Sequence, residues 1–158
     1  MRTTNATTKQ WDEVATPFDA RGTFAPIQNF GTSVLKTGVQ RSILGLVTRE
    51  GALHVGILAH RGADLLGRIL VFIADVATVR RAIDSARAKV GRHDAGVIRT
   101  GTSGLVISCW SVRRPGTDGV VCFGRLRDGE YLGGPLTLKT EEIDRLERAI
   151  AWLETETK

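Results

Sequence analysis

Apolar runs bounded by turn residues recur along the chain and predict strands near Thr23–Asn29, Ser33–Lys36, Arg41–Arg49, Leu53–His60 and Arg68–Ile73. "REGA" and "HRGADLLG" are the turns between them. The spacing then changes. Val76, Val79, Ile83 and Ala86 follow at helical intervals, and Asp75 stands where its carboxylate can accept from the free amides of a first turn. "KVGRHDAGVIRTGTSG" (Lys89 to Gly104) carries glycine at four points and reads as a connection. Beyond it, strands are expected near Leu105–Arg113, Val120–Arg127, Glu130–Leu132 and Leu136–Leu138, with "PGTDG" as a turn. Thr140 then caps a helix through about Leu153, with Glu141 and Glu142 at its positive end.

The second series repeats the first. An offset of 67 residues places Leu53 on Val120, Val55 on Cys122, Gly62 on Gly129, Leu65 on Leu132 and Gly67 on Gly134 without a gap. The same offset lays Arg81-Ala82-Ile83 on Arg148-Ala149-Ile150, and six of 34 aligned pairs are identical. Chance supplies about two or three identities at this composition, so the agreement of pattern carries more weight than identity. The expected fold class is α+β, with two tandem repeats of an antiparallel sheet and a helix. Residues 1–20 read as a flexible tail, with a fragment of a Ser/Thr-rich targeting segment as the alternative. The domain spans 21–155, in repeats of about 21–90 and 97–155.

Composition narrows the classes of function. The 158 residues are 42% hydrophobic and 25% charged, a globular balance. The longest apolar run, "ILVFIADVA", is too short to span a bilayer and contains Asp75, so no membrane segment is expected and an intracellular location is. Cys109 and Cys122 are too few for a disulfide framework or a zinc site, and read as reduced, partly buried thiols. The net charge of +5 is concentrated in residues 21–100, which hold twelve basic and five acidic groups. Such a field attracts polyanions.

Two sheets, each closed by a helix, in a chain of this length resemble the Whirly family of single-stranded DNA-binding proteins, over roughly Ala20 to Glu154. "SVLKTGVQRSILGLV" is similar to that family's Lys, tight turn and apolar strand, and "GRILVFIADVATVRRAI" and "GPLTLKTEEIDRLERAI" to its strand-then-helix segment. "ARGTFAPI" stands where the family has a basic strand, with Arg21 and Gly22 matching and Thr23 in place of a lysine. Kinetoplastid guide-RNA-binding proteins share this layout, and positive-cofactor-type coactivators carry one copy per chain and dimerise. The resemblance implies binding to single-stranded DNA or RNA and a homo-oligomer, a tetramer in that family, with no cofactor.

A sequence-tolerant single-strand site needs stacking platforms and cations along the backbone path. If "PGTDG" is the loop of the hairpin 105–127, Trp110 faces Gly124 and Val112 faces Cys122 on an expected core side. Ser111, Arg113, Phe123, Arg125 and Arg127 then share the other side, an aromatic among arginines. In the first half, Arg41 and Arg49 share a face with His54 and His60 if the turn has two residues, and lie opposite them if it has three. Lys36, Arg41, Arg49 and Arg61 are the candidate phosphate contacts there.

Catalysis is not expected. His54 and His60 lie six residues apart on one strand, roughly 20 Å, too far to share a metal. His93-Asp94 has no nucleophile with a recognisable motif, and "GVIRTGTSG" lacks the Lys-Ser/Thr of a phosphate loop. The competing reading is an oligomeric interaction subunit. The first helix carries Arg80, Arg81, Arg87 and Lys89 and the second Glu141, Glu142, Glu147 and Glu154, charges suited to steering subunits together.

Overall fold

A computed structural model describes residues 24–48, 50–61, 64–99, 105–127, 130–131 and 135–157. Four strands, β1 (Phe24–Val34), β2 (Gln40–Thr48), β3 (Leu53–Arg61) and β4 (Asp64–Val71), form a sheet in the order β1-β2-β3-β4, followed by a 3-10 turn and helix α1 (Val76–Ala88). Strands β5 (Gly91–Arg99), β6 (Leu105–Arg113), β7 (Val120–Arg127), β8 (Glu130–Tyr131) and β9 (Leu136–Leu138) form the second sheet, followed by helix α2 (Thr140–Thr157). β8 pairs with β7 at Leu126–Arg127 and β9 at Val121–Phe123, so the two short strands share one edge position. The α+β class, an antiparallel sheet and then a helix, twice, is the one the pattern predicts.

Two compact units divide the chain, and their boundaries are not those of the sequence repeats. One joins the strands up to Leu70 to the residues from Arg148 onward; the other is Val71–Glu147. Helix α1, which follows the first sheet in sequence, therefore packs on β5, β6 and β7 of the second. The later part of α2 packs on the first sheet: a Cβ added at Gly45 of β2 would lie 2.6 Å from the Trp152 ring.

In the first unit, Ile43, Val55 and Ile57 are buried on one side of the sheet and Leu46 and Leu58 on the other, each at 1–2% exposure or less. A buried aliphatic side chain of this kind contributes about 1.5–3 kcal/mol. The β2–β3 turn runs between Thr48 and Ala52, where the Thr48 amide donates to the Ala52 carbonyl at 2.8 Å and Gly51 takes φ +88°. Arg41 pairs with Ala59 and Leu46 with His54, so Arg41 lies on the face opposite both histidines, the arrangement of the three-residue turn.

Strand β1 is continuous where two short strands were expected. Its register slips between Pro26 and Gln28 and between Asn29 and Gly31. Each slip reverses the alternation of faces, so in sequence the strand looks interrupted. Strand β5 looks like a connection in sequence for a related reason. Its slip falls between Asp94 and Gly96, and Gly96 there takes φ 132°, a conformation that suits glycine. Glycine placed for a bulge resembles glycine placed for a loop.

The two bulges are counterparts. Phe30 is the extra residue in β1 and Gly31 follows it at φ 135°; Ala95 is the extra residue in β5 and Gly96 follows it at φ 132°. Arg148 donates to the Phe30 carbonyl at 3.4 Å, and Arg81 to the Ala95 carbonyl at 3.1 Å. The repeated Arg-Ala-Ile triplet thus has a structural meaning. Its Arg clasps the bulge, its Ala (0% exposed in both copies) lets the helix approach, and its Ile, at 1% or less, fills the core.

Both helix starts depart from the expected caps. Asp75 makes no side-chain cap bond to α1; its carboxylate accepts from the Phe72 amide at 3.4 Å within the 3-10 turn. At α2 the reciprocal bond comes from Glu142, whose carboxylate reaches back to the Lys139 amide at 3.4 Å, while the Thr140 hydroxyl donates to Asp118. Among the described residues, no helix is long and apolar enough to cross a membrane.

Candidate nucleic-acid interface

The β6–β7 hairpin pairs Trp110 with Cys122 and Val112 with Val120, two residues away from the expected register. The turn is correspondingly longer, closed by the Thr117 amide and hydroxyl donating to the Arg114 carbonyl at 3.1 and 2.8 Å. A shift of two keeps the same residues together on each face. Ser111, Arg113, Phe123 and Arg125 do share one side, but that side faces α1. Ile107, Cys109, Ser111 and Val121 are at 0% exposure and Phe123 at 1%. Phe123 is therefore a core residue and cannot present its ring to a base. Both sides of this hairpin are mostly apolar, so alternation alone could not say which one the helix covers.

The candidate cations have different fates. Lys36 is exposed in the turn between β1 and β2, Arg61 is exposed at the end of β3, and Arg125 is exposed on β7. Lys36, Arg41 and Arg61 belong to the same end of the first sheet, but Arg41 is 8% exposed and so is not displayed to a ligand. Arg113 donates to the Arg87 carbonyl at 2.7 Å and to the Thr117 carbonyl at 3.0 Å. It thereby satisfies an orphan carbonyl in the last turn of α1, a structural use of its charge. Arg49 lies outside the described residues. Arg127 pairs with Leu105 and Glu130 in the ladder, its side chain being outside the description. The helix charges also meet within the chain. Arg87 bonds Asp144 at 2.6 Å and Glu147 at 2.8 Å, and the bond to Glu147 leads the effects that raise its pKa.

The opposite side of the second sheet carries a feature the sequence reading missed. Arg92 of β5 lies over the Trp110 ring of β6, its guanidinium carbon 4.8 Å from the ring centroid. Such a pair is worth about 0.5–1 kcal/mol near solvent. Trp110 is 6% exposed, whereas the Arg92 side chain is 53% exposed. Val97 (53%) and Val106 (38%) are exposed on the same side. The pair is hidden in the sequence because Arg92 lies on a strand that reads as a connection, and only the pairing of β5 with β6 brings it to Trp110.

The two thiols lie on neighbouring strands but on opposite faces: Cys109 pairs with Phe123, and Cys122 with Trp110. Burial pushes Cys109 up to about 12, which makes it a poor nucleophile, and burial also raises Cys122. Among the described residues, no group of three His, Cys, Asp or Glu side chains is placed to hold a metal ion. No protein-family model matches the chain, and no curated protein matches it in sequence.

Proposed function

We propose that this protein binds single-stranded nucleic acid with little sequence preference, through the side of the second sheet that faces away from α1. The observation that carries this reading is Arg92 stacked on Trp110 beside the exposed Val97 and Val106. A base meets the outer face of a planar cation already held against an aromatic ring. Stacking of this kind tolerates any base and contributes about 1–3 kcal/mol. The guanidinium of Arg92, 53% exposed, supplies positive charge for a phosphate, and the resemblance of the doubled sheet-and-helix layout to the Whirly family supports the same reading.

Titrating a labelled oligothymidylate at several salt concentrations tests it. The wild type is expected to bind with a steep negative salt slope, and Arg92→Ala to weaken binding and flatten that slope. Phe123→Ala is expected to lower folding stability by about 3–5 kcal/mol through a cavity, with binding intact in whatever fraction stays folded. A wild type that ignores the oligonucleotide at low salt removes the proposal.

A second reading, a self-associating structural subunit, is favoured by the edges of the first sheet. Ile27 (44%) and Val34 (68%) on β1 and Leu66 (49%) on β4 are large apolar side chains in solvent. Sedimentation at micromolar concentration distinguishes a homo-oligomer, for which a tetramer is proposed, from a monomer. Assembly without oligonucleotide binding would leave this reading alone.

A further inference from the structure

The correspondence between the two bulges extends to what surrounds them, and there the units differ. In the first unit the space between helix and bulged strand is closed by an aromatic pair. Phe30 is itself the bulged residue, and its ring meets that of Trp152 edge to face, centroids 5.8 Å apart at 62°. The bulge correspondence puts Ala95 in the place of Phe30, and the helix offset puts Ser85 in the place of Trp152. With two small residues there, the second unit has an open cleft of about 500 Å³ between α1 and β5.

Charge differs in the same sense. Arg81, Lys89 and Arg92 line the cleft together with Asp84, His93 and Asp94. Asp94 is 3.3 Å from Arg92, and Arg81 is engaged by the Ala95 carbonyl and the Thr78 hydroxyl. Lys89 is exposed just past the end of α1, where its charge offsets the negative end of the helix dipole. In the first unit the counterpart of Lys89 is Glu156. The counterpart of Arg92, judged by their partners Val112 and Leu46, is Pro26. The cleft that is open carries a small excess of positive charge, Arg81, Lys89 and Arg92 against Asp84 and Asp94. Arg92 belongs both to this cleft and to the stack on Trp110, so the two surfaces adjoin across edge strand β5.

We infer that the cleft between α1 and β5 takes the sugar-phosphate backbone of the strand whose base lies on Arg92, with Lys89 and Arg92 donating to phosphodiester oxygens. This rests on the proposed nucleic-acid function and adds the path of the strand, over the β5 edge and onto the helix side. One unit of the two then provides this path.

Oligothymidylate titration across salt concentrations, with thermal melts to verify folding, tests it on exposed residues. Lys89→Ala is expected to weaken binding roughly three- to tenfold and to reduce the salt slope by about 0.7, the value for one lost single-strand phosphate contact. Asp84→Asn, which removes a carboxylate from the cleft wall, is expected to tighten binding. Ser85→Trp with Ala95→Phe, which installs the plug of the first unit, is expected to weaken binding and to abolish any further effect of Lys89→Ala. Should the plug variant fail to fold, the Lys89 and Asp84 variants decide alone. If both leave affinity and slope unchanged while Arg92→Ala still weakens binding, the cleft assignment is overturned and the nucleic-acid function stands. If the wild type binds no oligonucleotide, both fall.

Discussion

Gly45 shows how much of this structure depends on single positions. It lies under the Trp152 ring, and its counterpart in the second sheet by ladder position is Ser111, which is fully buried with a hydroxyl that has no hydrogen-bond partner. Each sheet thus keeps a small residue beneath its helix. Gly45→Ala places a methyl 2.6 Å from the indole and is expected to cost about 1–3 kcal/mol of stability by overpacking. Combining it with Trp152→Leu should recover part of that loss, a non-additivity that a double-mutant cycle in urea would measure. His54 gives a second residue-scale expectation. Burial lowers its pKa below 6.5, so the folded state resists a proton that the unfolded chain accepts. Stability is fully present above 6.5, declines as pH falls below that value, and levels off once pH is below the folded pKa. His54→Gln should flatten that part of the pH profile of the urea midpoint.

At the scale of elements, the bulges explain both what could be read in advance and what could not. The helices were legible because a 3.6-residue stripe survives any tertiary context, and β2, β3, β6 and β7 because their runs are unbroken. Strands β1 and β5 look fragmented or absent in sequence because a bulge shifts the phase of alternation, and an apolar count has no memory across the slip. The candidate site is obscured for the same reason: alternation does not tell the helix-covered side that holds Phe123 from the other, and Arg92 lies on the strand that the bulge conceals. The sequence marks the helix starts but not the capping side chains, since a carboxylate three residues inward competes with the residue at the boundary. Gly31→Ala and Gly96→Ala test the bulges. Each forces a side chain into a left-handed conformation, at about 1 kcal/mol or more, and lowers the melting temperature although both glycines lie at a sheet edge. Equal effects at the two positions would be the energetic counterpart of the shared geometry.

The whole molecule is a repeat whose helices have changed partners. Self-alignment of the sequence finds the repetition but pairs each helix with the sheet before it, because adjacency in sequence is the only adjacency it contains. In the fold, the strands up to Leu70 share their unit with Arg148–Lys158, and everything between belongs to the other. During translation, then, the first sheet emerges without the segment that covers it and stays incomplete until the second unit has been made. Nascent chains stalled before Arg148 are expected to leave the first four strands open to protease while release of the full chain closes them. A protein built this way is expected to complete its middle before its earliest strands, the first to be made and the last to be covered.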